Sequence, residues 1–240
     1  MMQDTDEGIE APRRRHVYGR RRGKRLRAHQ AGLVENRLPE ISIPLPDETA
    51  PPLDPATLFS PAKTETWLEI GFGGGEHLIH QAAAHPDVGI LGCEPFINGV
   101  AKLVAEIEEK HLDNIRLHAD DARQLLECLK PESLARVFIL YPDPWPKLRH
   151  NKRRFINQET LGFLAAALKP GGELRFASDI PDYIAWTQAH IVEFNGKSGS
   201  RFEPVTRDAA LPYAGWPGTR YEDKALKAGR VPAYLAFFRT

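Results

Sequence analysis

From Thr66 onward the chain alternates short apolar runs with amphipathic stretches. Residues 67–70, 89–93, 115–118 and 136–140 are apolar runs of strand length, each followed within two residues by glycine, proline or an acid. Between them, 77–84, 97–110 and 123–129 repeat apolar residues at helical spacing. A further helix is predicted over 158–168. It stops at Lys169, Pro170, Gly171 and Gly172, before a strand at 173–177. A helix over 182–194 and a late strand over 233–238 complete the pattern. Strands alternating with helices call for a parallel sheet covered on both faces, which makes 65–240 one α/β domain.

Upstream the pattern is lost. Residues 1–30 are charged and glycine-punctuated, and they are expected to form a basic extension, disordered without a partner. Residues 31–64 form a lead-in whose prolines at 39, 44, 46, 51, 52, 55 and 61 forbid long regular structure. The formal net charge of +0 hides nine Arg or Lys, and no acid, between 13 and 27. Such a run suits phosphate contact, although a solvated tail has the same composition. Deleting residues 1–30 is therefore expected to weaken RNA affinity and flatten its salt dependence while cofactor affinity stays the same.

Composition then excludes several classes. No apolar run approaches the ~20 residues needed to cross a bilayer, and no signal-peptide core opens the chain, so a soluble cytoplasmic protein is expected. Asp4, Asp6, Glu7 and Glu10 argue against a transit peptide. Cys93 and Cys128 make neither a disulfide framework nor a metal cluster. His77 and His80, one helical turn apart, lack a third ligand and are expected at the surface; no metal and no obligate protein partner are indicated.

In open parallel sheets ligands bind beyond the carboxyl ends of the strands, where strand order reverses. After the first strand come Glu69, Gly71, Gly73, Gly74, Gly75 and Glu76. A dinucleotide site wants glycine where Glu76 stands, and the acid Glu69 would repel a pyrophosphate. The same acid suits the ammonium and sulfonium of S-adenosyl-L-methionine. Glu94, after the second strand, stands near the spacing at which an acid accepts ribose hydroxyls. Asp121, after the third, can accept from an adenine amino group. Both acids also fit simple helix caps.

After the fourth strand comes Tyr141, Pro142, Asp143, Pro144, Trp145, Pro146 and Lys147. Prolines on both sides fix the Asp143 backbone, and Trp145 offers a stacking face for a base. Lys147, Arg149, Lys152, Arg153 and Arg154 follow closely, although a rigid turn with a solvated basic flank has the same composition.

Together with Ser178, Asp179 and the Thr219 to Glu222 stretch, these motifs resemble the bacterial tRNA (guanine-N7)-methyltransferase family over about 65–240. The 142–154 stretch is the most diagnostic part. The resemblance implies a Rossmann-like class I methyltransferase fold: a mostly parallel seven-stranded sheet, helices on both faces and a late antiparallel strand. It implies S-adenosyl-L-methionine as donor and tRNA as partner, with N7 of guanine 46 in the variable loop as acceptor. It places Glu69, Gly71, Gly73, Glu94, Asp121 and Asp143 at the cofactor, with Asp143 also catalytic. It places Lys147, Asp179, Thr219, Arg220, Tyr221 and Glu222 at the substrate, and Arg149, His150, Asn151, Lys152, Arg153 and Arg154 against RNA. Tyr221 stands where Phe is frequent and Ala225 where glycine is common. The residues alone leave room for a methyltransferase of another acceptor, or for a non-catalytic RNA-binding module on a Rossmann-like fold.

Overall fold

The computed structural model describes residues 18–47 and 49–240. Strands β1 (Glu65–Ile70), β2 (Val88–Cys93), β3 (Ile115–His118), β4 (Leu134–Leu140), β5 (Leu168–Ser178), β6 (Phe202–Pro204) and β7 (Ala233–Arg239) pair in the order β3-β2-β1-β4-β5-β7-β6. The first five are parallel, and β7 runs antiparallel to both β5 and β6. The sheet is thus the mostly parallel, seven-stranded class I methyltransferase arrangement. Six of its strands are legible as apolar runs. The seventh, β6, has three residues with one buried, too few to register as a pattern. A short strand ending in Pro204 suits a sheet edge, where a missing N–H breaks no ladder.

Alternate residues of each strand feed two cores. Leu68, Ile70, Val137 and Ile139 face one side, packed against α5 (Ala122–Cys128), α6 (Gln158–Ala167) and α7 (Pro181–Lys197). Trp67, Ile90, Phe138 and Leu140 face the other, packed against α3 (Glu76–Ala84) and α4 (Ile97–Glu109). Leu78 and Leu103 are fully buried there, and burial of each such side chain contributes about 1.5–3 kcal/mol.

Two further helices precede β1. Helix α1 (Ala28–Asn36) has no fully buried residue and no apolar stripe, so its sequence gives no periodic signal; it packs through half-buried Leu33 and Val34. Helix α2 (Leu38–Ile41) carries Pro39 in its first turn, where the absent N–H is not missed. Downstream, Ser42 bridges to Leu117 and Leu53 to Leu129, holding the lead-in against the sheet. The remaining helix, α8 (Arg220–Lys227), precedes β7. No helix among the described residues is long and apolar enough to cross a membrane.

Candidate active site

Strand order reverses between β1 and β4, and a cavity of about 440 Å³ opens at their carboxyl ends. Its size is ordinary for a small-molecule site. Gly71 and Gly73 after β1, Glu94 after β2, Asp121 after β3 and Asp143 after β4 all line it. Nothing stands within 4 Å of the position a Cβ would take at Gly71, whose φ is +74°, so bare backbone faces the cavity. Close helix approach to the glycine loop comes through another glycine. A Cβ at Gly99, in α4, would lie 2.1 Å from the Gly73 carbonyl oxygen.

The loop cannot serve as an anion cradle, because carboxylates already occupy it. Glu94 Oε2 accepts the Gly73 N–H at 2.8 Å, and the Glu76 carboxylate folds over Gly74 while pairing with Lys102. Glu94 Oε1 accepts from the Phe96 N–H at 2.9 Å. Each Glu94 oxygen thus keeps a lone pair for a hydroxyl, and burial raises the pKa of this carboxyl despite the two backbone bonds. The donor set fits a nucleoside hydroxyl pair and a cationic group better than a pyrophosphate.

Asp121 caps α5 through the Arg123 N–H and also binds the Arg123 guanidinium, at 2.5 Å to Oδ2. Both alternatives for this residue therefore coexist: it is a cap, and it lines the cavity. Glu69 lies in a small adjoining recess shared with Gly71, Tyr141, Thr219 and Tyr221.

Asp143 sits in a loop held by unusual backbone. Tyr141 and Trp145 have φ of 51° and 44°, the left-handed region that non-glycine residues rarely adopt. Such conformations persist only where surroundings over-determine them. Here Tyr141 N–H donates to Ala177 and Arg154 Nε donates to the Pro144 carbonyl at 2.9 Å. Asp143 is exposed at the cavity mouth, its carboxylate receives no hydrogen bond from a described residue, and partial loss of hydration raises its pKa. Tyr18, Gly19 and Arg20 line the same cavity, with Gly19 against Asp143. The expected extension thus divides: residues 1–17 lie outside the described residues, while the next few approach the site and Arg21 pairs with Asp120 at 2.8 Å.

The cationic stretch also divides. Lys147, Arg149 and Lys152 are exposed, and Lys152 and Arg153 reach the cavity wall. The Arg153 guanidinium stacks 4.8 Å from the Tyr18 ring and 5.0 Å from Trp145. Reduced hydration and the surrounding Arg153, Arg149, Lys147 and Lys152 push the His150 imidazole below its ordinary value. Asn151 is half-buried, and its carbonyl accepts the Arg154 N–H. Arg154 corrects the expectation of RNA contact. It is 1% exposed, pairs with Asp182 and lies over the rings of Tyr183 and Trp186. It braces the loop from beneath.

Thr219 and Glu222 form a reciprocal capping box at the start of α8. Glu222 is buried and accepts from Trp216 Nε1 and from the Tyr234 hydroxyl, so its carboxylate is engaged inside the segment. Arg220 and Tyr221 lie over Gly73 and line the cavity, while Asp179 pairs with Arg230. His77 is the other correction: it is 3% exposed and hydrogen-bonded to Glu69, whereas His80 is exposed as expected. The cavity positions of Tyr18 and Arg123 and the burial of His77 had no signal in the sequence. The T-x-x-E capping box did, but α8 lacks the apolar run that normally announces one. No group of three His, Cys, Asp or Glu among the described residues is placed to hold a metal.

The sequence matches a protein-family model described as a putative methyltransferase over residues 63–233. It is 48% identical to a tRNA (guanine-N(7)-)-methyltransferase of Rhodopseudomonas palustris, over 98% of this chain and 92% of that one. A relative of the same description in Paramagnetospirillum magneticum is 45% identical over 100% of this chain and 99% of its own. Among solved structures, an antibiotic-related methyltransferase superposes with a TM-score of 0.54 at 17% identity, covering 74% of this chain and 88% of that one, a likeness of fold.

Proposed function

The chain belongs to the tRNA (guanine-N7)-methyltransferase family, and we propose that it transfers a methyl group from S-adenosyl-L-methionine to N7 of guanine 46 in the variable loop of tRNA. The observation that carries this reading is that Asp143 faces the same cavity as Gly71, Glu94 and Asp121, at the edge where Lys152 and Arg153 begin the basic flank. Residues 65–240 form the methyltransferase domain in this proposal, and its work on tRNA is cytoplasmic.

Bound in the cavity, S-adenosyl-L-methionine supplies an electrophilic methyl carbon on a sulfonium. Glu94 accepts the ribose hydroxyls with its free lone pairs, Asp121 faces the adenine edge, and Glu69 meets the cationic amino-acid end. Guanine N7 has an exposed lone pair and needs no base to activate it, so the protein's task is alignment. Holding the reacting atoms in line contributes roughly 7–11 kcal/mol through prepaid entropy. Asp143 is the catalytic residue of this reading: it accepts from guanine N1–H and the N2 amino group, and its charge stabilises the methylated, cationic ring. Arg220 and Tyr221 close over the glycine loop beside the base, with Thr219 holding their helix. Lys147, Arg149 and Lys152 take phosphates.

Incubation of unmodified tRNA with labelled donor, followed by nucleoside analysis, should yield N7-methylguanosine at one position. An Asp143→Ala protein should bind the donor yet lose turnover by about 10²–10³-fold. Normal turnover in that variant with both ligands bound would remove Asp143 from the mechanism, and label in another nucleoside would refute the acceptor.

A further inference from the structure

Glu69 stands next to last in β1 with a side chain 4% exposed, and one of its two oxygens is already engaged. His77, 2% exposed on the first turn of α3, places Nδ1 2.7 Å from Glu69 Oε2. Gln81, one turn further along α3, offers its amide N–H to His77 Nε2 at 3.2 Å. A carboxylate oxygen accepts, so His77 Nδ1 donates its hydrogen to Glu69, and the Gln81 amide N–H at Nε2 matches that tautomer. The ring is also fixed from its sides. Phe138 meets it edge-on with centroids 4.7 Å apart, and Trp216 lies 5.1 Å away.

The second carboxylate oxygen, Oε1, receives no hydrogen bond among the described residues. Glu69 shares its recess with Gly71, whose backbone also lines the main cavity. A buried carboxylate held at one oxygen by a locked imidazole presents the other in one direction. That is the arrangement a fixed ammonium group needs.

We propose that His77 is a positioning residue for the amino-acid end of the methyl donor. Its Nδ1–H holds Glu69 Oε2 so that Oε1 meets the donor's ammonium, and Gln81 holds the required tautomer. This rests on the reading above that Glu69 meets the donor's amino-acid end.

The test is calorimetric binding of two probes to the full chain. S-adenosylhomocysteine carries the amino-acid end, whereas 5′-methylthioadenosine keeps the nucleoside and lacks it. His77→Gln and His77→Phe remove a donor from the Nδ1 position, while the shorter amide of His77→Asn restores an N–H there. Loss of a hydrogen bond to a charged group predicts that the first two weaken S-adenosylhomocysteine by about tenfold or more. His77→Asn should remain close to the parent, and all three should bind 5′-methylthioadenosine as the parent does. Equal weakening of both probes, or an Asn variant as weak as the Phe variant, would overturn the proposal by making the role one of packing. Unchanged S-adenosylhomocysteine affinity in every His77 variant would overturn it too. Glu69→Gln separates the two layers: if it weakens S-adenosylhomocysteine while His77 variants do not, only the positioning role fails. If Glu69→Gln has no effect, the assignment of Glu69 fails with it.

Discussion

Asp143 carries a stability cost that follows from its place in the cavity. Its folded pKa is raised by loss of hydration, without a compensating hydrogen bond from a described residue. A carboxyl whose folded pKa exceeds its unfolded value is destabilising when ionised. The cost is fully present above the folded pKa and disappears below the unfolded one, near 3.9. Because the Asp143 side chain keeps contact with water, that cost is screened, so Asp143→Asn should melt only slightly higher than the parent at neutral pH, with the difference in thermal unfolding vanishing as pH falls to about 4. Turnover of the parent should decline as acid protonates Asp143, at a pH above that of an ordinary aspartate. Neighbouring arginines separate in the same way. Arg149 is exposed, so Arg149→Ala should lower the salt slope of tRNA binding by about one unit with Tm unchanged. Arg154→Ala should lower stability by about 2–3 kcal/mol, since it removes a buried guanidinium from over Tyr183 and Trp186 and the bond that holds Pro144.

Among the elements, α8 depends heavily on its ends. It buries only Glu222 and Ala225, so little packing fixes it, and the Thr219 box supplies its start. Thr219→Ala should cost about 1 kcal/mol, a Tm shift of roughly 2–4 °C for a chain of this size. Because α8 carries Arg220 and Tyr221 over Gly73, the same change should raise the KM for tRNA more than it lowers Tm would suggest. Elements with strong apolar faces were the legible ones. Helix α4 buries Val100, Leu103, Val104 and Ile107 on one stripe, and the sequence places it within a residue of its ends. Helix α1 lacks such a stripe, and α8, though amphipathic, has only Tyr221, Ala225 and Leu226 as apolar positions, two of them exposed, so no apolar run announces either.

At the scale of the whole molecule, the described part of the basic N-terminal run is tied to the domain. Ile97 N–H donates to Arg21, Gly23 and Lys24 exchange hydrogen bonds with Asn98, and Tyr18 to Arg20 line the cavity. Deleting residues 1–24 should therefore weaken S-adenosylhomocysteine as well as tRNA, in contrast to the expectation from charge alone. The paired change Arg25→Gln with Arg27→Gln should weaken tRNA and lower its salt slope by about two units, with S-adenosylhomocysteine affinity intact. Calorimetry and binding titrations across salt distinguish the two outcomes.

Apolar periodicity is local, so the residues alone carried the alternation of β1 to β5 and β7 with α3 to α7, but not β6, α1, α2 or α8, and each legible strand's last residues lie beside it in the chain. From there the rule for parallel sheets places Gly71, Glu94, Asp121 and Asp143 at one crevice, and they meet there. The contacts between distant segments come instead from packing. It buries Arg154 under its loop and sets His77 against Glu69. It lays Tyr18 beside Arg153 and turns Glu222 inward to Tyr234. A charge or an imidazole looks the same in sequence whether it faces water or a core. Its role depends on which neighbours the fold brings to it, and that is a property of packing.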